Sequence, residues 1–241
     1  MNCVERNNRG GEMTRMSRAH AERIICETGW LAQTSEAFRI TLLQNARLLK
    51  LKAGHTIFRP GDSAGGIYGL VSGTVIVNTA PPDTTPKLIH IAMPGGWTGE
   101  DSFMTGNPRR IELFVRSEAW VMHVPLEAME RMTASDPSNI REFGVMSILA
   151  ADKLLRIVHD LQKKSVSARI ASVLHRLAWT THAPISISQE NLGILASTSR
   201  KQINMTIRDF VIAGWIQTGY GKITVTNPMA LQRHAEEEAS D

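Results

Sequence analysis

Between residues 185 and 227 the chain carries polar side chains whose spacing suits hydrogen bonding to the edges of bases. Ser188 and Ser199 each precede a run of helical periodicity, and a serine in that position suits an N-cap. Ile187 with Leu192 suits a hydrophobic staple over the first run. The pattern predicts a short helix over 189–196, a turn at Ser197-Thr198, and a second helix from Arg200 to about Ala213. In the second helix Ile203, Ile207 and Phe210/Val211 form the face expected to be buried, and Arg200, Lys201, Asn204 and Arg208 form the open one. An arginine in the first turn of such a helix can pair in bidentate fashion with guanine O6/N7, and Asn204 with adenine N6/N7. Ser199 and Lys222 suit phosphates, which position a protein without reading sequence. Gln189 at the start of the first helix joins this candidate DNA-binding set.

The elements that follow support the same reading. Gly214 suits the left-handed stop after a helix. Trp215-Ile216-Gln217-Thr218 and Ile223-Thr224-Val225-Thr226 flank Gly219-Tyr220-Gly221-Lys222, a hairpin with a lysine at its tip. Two helices, a tight turn and such a wing predict a winged helix-turn-helix, whose second helix enters the major groove of double-stranded DNA.

Charge placement agrees. Residues 163–234 hold nine Lys or Arg against Glu190 and Asp209, a net +7, within a chain whose total is only +4. Concentrated basic charge serves the phosphate backbone, because each contact releases counterions.

Upstream, three segments must carry and place this unit. Residues 1–17 are polar and read as a disordered tail, and 18–50 as helical. Over 51–124 glycines recur between short β-branched runs such as Thr74-Val75-Ile76-Val77 and Lys87-Leu88-Ile89-His90-Ile91, which predicts a small antiparallel roll. Ala80-Pro81-Pro82-Asp83 suits a hairpin tip, since tandem prolines cannot sit in a central strand. Asp136 suits an N-cap and Pro137 a first helical position. Beyond them Ile140, Phe143, Ser147, Ala150, Leu154, Ile157 and Leu161 repeat at a 3-4 spacing, a heptad seam that predicts dimerisation through this helix. An unbroken helix over 137–162 would run about 39 Å. Lys163-Lys164-Ser165 reads as a hinge, after which Ser165 or Ser167 caps a helix to about Thr180.

As a set, these residues resemble the CRP/FNR family of bacterial transcription regulators, over about residues 30–228. The resemblance rests on Ala53-Gly54-His55-Thr56-Ile57-Phe58 with Gly61-Asp62, on Ile67-Tyr68-Gly69-Leu70-Val71-Ser72-Gly73-Thr74-Val75, on Pro94-Gly95-Gly96-Trp97-Thr98-Gly99-Glu100, and on Thr198 to Asn204 with Gly214-Trp215-Ile216. It implies an α+β chain: an effector-sensing roll domain over 18–136, a dimerisation helix over 137–162, a winged helix-turn-helix over 163–228 and an acidic tail over 229–241. It also implies a cytoplasmic homodimer that binds a palindromic operator, contacts RNA polymerase and answers to a small-molecule effector.

The effector residues that the family pattern implies are Gly99, Glu100, Arg109 and Arg110 in the roll, with Leu154 and Leu155 on the long helix. Cyclic-AMP members follow the arginine with a hydroxyl residue, whereas Ile111 stands here. They also offer hydroxyls to the adenine where this chain has the two leucines, and a polar base edge left unpaired on burial costs about 1–3 kcal/mol. Cyclic AMP is therefore not the expected effector. An iron–sulfur cluster needs four cysteines, and Cys3 and Cys26 are two. A haem needs one or two ligands, so His55, His90, His123 and His159 stay open, and the effector is left unassigned. In the DNA-reading helix the family's best-known members carry Arg-Glu and then a second Arg. Here Lys201 and Met205 take the last two places, so only the Arg200 contact carries over and the operator should differ.

Other classes fit less well. A metalloenzyme on a roll needs two or three histidines with a carboxylate at one metal, and His90 lacks a neighbouring His-x-His partner, so no catalytic or metal residue is assigned. A ligand-binding module without DNA function leaves the unit from Ser199 to Lys222 unexplained. No run of about 18 apolar residues crosses a membrane, and the start of the chain has no apolar leader.

Overall fold

The computed structural model describes residues 16–79, 85–178 and 184–236. The N-terminal tail to residue 15, the tandem-proline hairpin tip, the expected helix end at Thr180 and the acidic residues from Glu237 onward lie outside the described residues.

Ser17 caps α1 (Arg18–Glu27), and Gly29 at φ +78° turns the chain into α2 (Glu36–Asn45), capped by Ser35. The helical reading of 18–50 fails at its end. Ala46 is extended, and Arg47–Leu51 forms β1 in antiparallel register with His123–Ala119. Apolar residues at Leu48, Leu49 and Leu51 suit a sheet as well as a helix, and pairing with β6 makes the segment a strand.

The roll is one antiparallel sheet built on two long strands, β3 (Ile67–Thr79) and β6 (Ile111–Val124). β1 and β2 (Thr56–Phe58) pair with β6, while β4 (Lys87–Ala92) and β5 (Trp97–Thr98) pair with β3. Register breaks between Leu70 and Val75 bend the pair, as inserted residues do. Inside the roll Phe58, Leu70, Val75, Leu113, Val115 and Val121 make a closed apolar core. A second core joins α1, α2 and the roll to α4 (Leu126–Ser135) and the first turns of α5 (Asn139–Leu161).

The start of α5 and its seam both differ from expectation. Asp136 Oδ1 accepts from Ser138 N at 2.9 Å and Oγ at 2.7 Å, making a turn before the helix, which begins at Asn139 and not at Pro137. Phe143 is fully buried within its own chain, among Phe38 and Phe103 at 5.1 Å and Trp30 at 5.9 Å between ring centroids. Ser147 also turns inward, donating to Glu100 at 3.3 Å. These two leave the seam because the roll's aromatic cluster claims that face. The exposed row is one residue further along: Ile148, Ala151, Leu155 and Val158, spaced 3-4-3 beyond a half-buried Gly144. Ile140, Ala150, Leu154 and Leu161 remain exposed beside it, and Ile157 is half-buried.

Residues 162–165, which include the expected hinge, join α5 to α6. Ser165 Oγ accepts from Ser167 N and Ala168 N at the start of α6 (Val166–Ala178). Then follow β7 (Ile185–Ser186), α7 (Gln189–Leu195), α8 (Arg200–Ile212), β8 (Ile216–Gly219) and β9 (Lys222–Val225), the three strands ordered β7-β9-β8. The domain does not end at 228. Asn227 Oδ1 accepts from Ala230 N, Pro228 opens α9 (Pro228–Glu236), and Leu231 and Ala235 pack onto the core beside α6. The acidic composition beyond it hid this apolar i, i+4 pair. Ile91 of β4 enters the same core, with Ile76, Leu88 and Met93 packed against it, so the roll and the C-terminal domain share an apolar boundary. Among the described residues no helix is long and apolar enough to cross a membrane.

Candidate nucleic-acid interface and effector pocket

The helix-turn-helix is set by its caps and one tight approach. Ser188 Oγ accepts from Asn191 N at 3.1 Å, and Ile187 and Leu192 are both buried as the staple requires. The turn between α7 and α8 brings Ser197 to φ +48°. A Cβ on Gly193 would stand 3.1 Å from the Thr198 carbonyl, and Thr198 N donates back to Gly193 O at 2.9 Å. That glycine, four residues before the turn, is a signal the sequence reading passed over. Ser199 and Gln202 close a capping box at the start of α8, which satisfies two otherwise orphaned backbone donors. The Ser199 hydroxyl expected at a phosphate is therefore engaged within the cap, donating to Gln202 at 3.1 Å.

Ile203, Ile207 and Phe210 face the core, joined by Thr206, while Val211 is exposed. Arg200, Lys201, Asn204 and Arg208 stand exposed along the opposite face. None of the four has an intramolecular hydrogen bond or ion pair among the described residues. Gln189, Arg200 and Lys222 line one groove between the helix pair and the wing, of about 1080 Å³. Lys201, Asn204 and Arg208 continue along α8 outside that groove. Gly214 at φ +72° ends the helix as expected. The wing turns on Tyr220-Gly221, with Gly219 paired to Lys222. Tyr220, wholly exposed beside Lys222, is a further tip residue that the sequence did not single out.

Arg169 on α6 ties the hinge to this unit. Its guanidinium donates to Lys163 O at 2.7 Å and to Ala196 O, in the turn, at 2.9 Å.

In the roll, Gly99, Glu100 and Arg109 come together. Gly99 at φ +107° opens α3 (Glu100–Thr105). Arg109 is buried over the Phe58 ring, donating from Nη1 to Gly99 O at 2.7 Å and from Nη2 to Gly66 O at 2.6 Å. Glu100 is also buried; that burial, with Asp101 adjacent, raises its carboxyl above the usual range. Arg110 is exposed and not part of this group. Leu154 and Leu155 are half and two-thirds exposed. Glu100 meets α5 at Ser147, about 10 Å along the helix axis from Leu154, so within one chain the leucines do not close the pocket. His123 is engaged, its Nε2 2.8 Å from Gly65 O and its ring stacked on Tyr68. Its burial lowers its pKa. His55 and His159 lie on the surface.

Comparison with known proteins agrees with this geometry. Residues 48–136 match the cyclic nucleotide-binding domain family, and residues 168–234 the Crp-like helix-turn-helix domain family. A CRP-like cAMP-activated global transcriptional regulator of Mycobacterium tuberculosis is 24% identical over 228 residues, covering 89% of this chain and 99% of the relative. The CRP-like protein Clp of Xanthomonas campestris is 24% identical over 63% of this chain and 72% of its own. Among solved structures, a CRP-family transcriptional regulator of Thermus thermophilus superposes with a TM-score of 0.61 at 23% identity, over 78% of this chain and 96% of that one. FixK2 of Bradyrhizobium japonicum does so at 0.67 and 16% identity, over 78% and 96%. The two matched domains span well over half of the chain in the order roll, long helix, winged helix-turn-helix, and the chain belongs to the CRP/FNR family of transcription regulators.

Proposed function

We propose that this chain works as a homodimer whose paired α8 helices read a palindromic operator in successive major grooves. The observation that carries the reading is the exposed, unpaired row Arg200, Lys201, Asn204 and Arg208. Side chains free of intramolecular partners lose no internal bond on meeting DNA, and arginine and asparagine are the residues that read guanine and adenine. Dimerisation is supported by the exposed α5 row of Ile148, Ala151, Leu155 and Val158, a spacing that suits packing against its symmetry mate. By family resemblance the bound dimer also contacts RNA polymerase.

An effector other than cyclic AMP governs the placement of the two α8 helices. Arg109 supports this, because Nη1 and Nη2 each already donate to a backbone carbonyl, and Ile111 supplies no hydroxyl to a cyclic phosphate. A constitutively competent dimer is the second reading. The packing of Ile91 into the C-terminal core favours it, since that contact holds the domain against the roll without a ligand.

Selection on random double-stranded DNA, with sedimentation of the free protein, tests the proposal. The expected product is a palindrome with half-sites about 34–36 Å apart, bound by a dimer. A monomer, or the recovery of no preferred sequence, would overturn it.

A further inference from the structure

A cavity of about 390 Å³ lies where the roll, α5, α6 and α9 meet, with neither Glu100 nor any residue of α8 in its lining. Its size is within the range of small-ligand sites. One wall is backbone and apolar, formed by Met93-Pro94-Gly95-Gly96. The other carries charge: Lys153 and Arg156 from α5 and Arg176 from α6, with Glu236 at one side. His90 of β4 also lines it, is 8% exposed, and has no hydrogen-bond partner among the described residues. Arg176 donates from Nη1 to Asp160, but its Nε is buried without a partner. A buried polar atom left unpaired is costly unless a bound group satisfies it. Arg176 and His90, from different domains, both line this space.

We infer that this cavity is a ligand site for a small organic phosphate, its oxyanion held between His90, Lys153 and Arg176 and its carbon body lying on Met93-Pro94-Gly95-Gly96. Phosphate fits the donor set because its oxygens accept from several directions at once, and the donors here come from three separate elements. Its negative charge also meets the local balance, since three lining cations, Lys153, Arg156 and Arg176, face one lining carboxylate, Glu236, while Asp160 behind the wall is shared by Arg156, Lys163 and Arg176. A neutral ligand would leave the cations as they are. Its lining shares no residue with the Gly99–Glu100–Arg109 group, although the Glu100 charge reaches Lys153. Because it bridges the roll to α6, a ligand there favours one placement of the C-terminal domain. It changes DNA affinity only as far as it distinguishes between placements.

Calorimetric titration with glycerol 3-phosphate at low salt tests the inference, alongside inorganic phosphate as the bare anion. Neither depends on DNA binding, so failure here and failure of the operator selection are separate results. Glycerol 3-phosphate is expected to bind more tightly than inorganic phosphate and to shift the His90 ring resonances. Lys153→Gln should weaken it roughly tenfold or more, the loss of one charge-assisted hydrogen bond, while leaving the melting temperature of the free protein unchanged. Lys153 is suited to this control because it lines the cavity and makes no salt bridge among the described residues, so its replacement breaks no internal ion pair. Absence of binding at about 10 mM, far weaker than a useful site, would overturn the inference. So would unmoved His90 resonances, equal binding by Lys153→Gln, or equal affinity for inorganic phosphate.

Discussion

The carboxylate of Asp160, near the end of α5, is ion-paired with the guanidinium of Arg176 on α6, so the two helices are joined across the hinge that separates them. Asp160 is almost wholly buried, and Arg156 at 3.4 Å and Lys163 at 4.0 Å stand around the same carboxylate. The hinge at 162–165 is therefore a bend under electrostatic restraint. Lys163 strengthens the restraint, since its Nζ also donates to Ala235 O on α9 at 2.7 Å.

Asp160→Asn should lower stability. Breaking a buried pair by removing one partner costs about 3–5 kcal/mol, and the loss should fall at the low end because Asn keeps an acceptor. Arg176→Leu should cost more than Asp160→Asn, since it leaves the carboxylate buried. Urea unfolding of the two variants gives the order, and the reverse order would show that Arg156 and Lys163 hold Asp160 unaided.

Arg200→Ala should lose about 1–3 kcal/mol of specific binding and relax the choice at one base pair, as loss of a bidentate guanine contact does. Lys222→Ala should weaken binding across sequences alike and reduce the salt slope by about 1, as loss of one phosphate contact does. Binding isotherms at several salt concentrations separate the two. A sequence-selective effect from Lys222 would mean that the wing reads bases.

The α5 row makes a paired test. Leu155→Asp should shift the dimer to monomer in sedimentation while changing monomer stability by about 0.5 kcal/mol or less, as exposed substitutions do. Phe143→Ala should destabilise the fold by about 3–5 kcal/mol through the cavity it leaves and leave the seam intact. If Phe143→Ala dissociates the dimer without loss of stability, the seam is the one first read from the heptads.

That pair also shows how much of the molecule was legible. A 3-4 spacing fixes that a helix has an apolar stripe. It cannot say which of two adjacent stripes meets the roll and which meets a partner, because both carry apolar residues at every turn. Only Trp30, Phe38 and Phe103, distant in sequence, decide that Phe143 turns inward. The helix-turn-helix was legible nearly to the residue because its determinants are local: caps at Ser188 and Ser199, a stop at Gly214 and an open face at a helical interval. The effector group was legible only in part. Gly99, Glu100 and Arg109 meet through backbone carbonyls of Gly66 and Gly99, and carbonyl positions leave no mark in side-chain identity. The junction cavity had no sequence signal, since His90, Lys153 and Arg176 lie far apart along the chain.

Acid should loosen the boundary between the roll and the C-terminal domain. His90 is held well below its ordinary pKa, first by burial and then by Lys153 and Arg176. His175 is lowered by burial and by Arg156, with Lys163 acting the same way and Glu236 and Asp160 opposing. A histidine with a depressed folded pKa binds fewer protons than the unfolded chain does below about pH 6.5, the ordinary imidazole value. Stability is then fully present above that pH and is lost as pH falls toward the folded value. Glu100 acts in the opposite sense, because its raised pKa lets the folded chain keep a proton that the unfolded chain releases. Comparing wild type with His90→Gln isolates the histidine. Urea midpoints at about pH 7.5, 6.5 and 5.5 should fall for wild type, and the variant should fall less, by up to about 1.4 kcal/mol per pH unit, the slope for one proton. Equal slopes would mean that His90 gains access to water when it takes up its proton, and that the boundary opens locally before the chain unfolds.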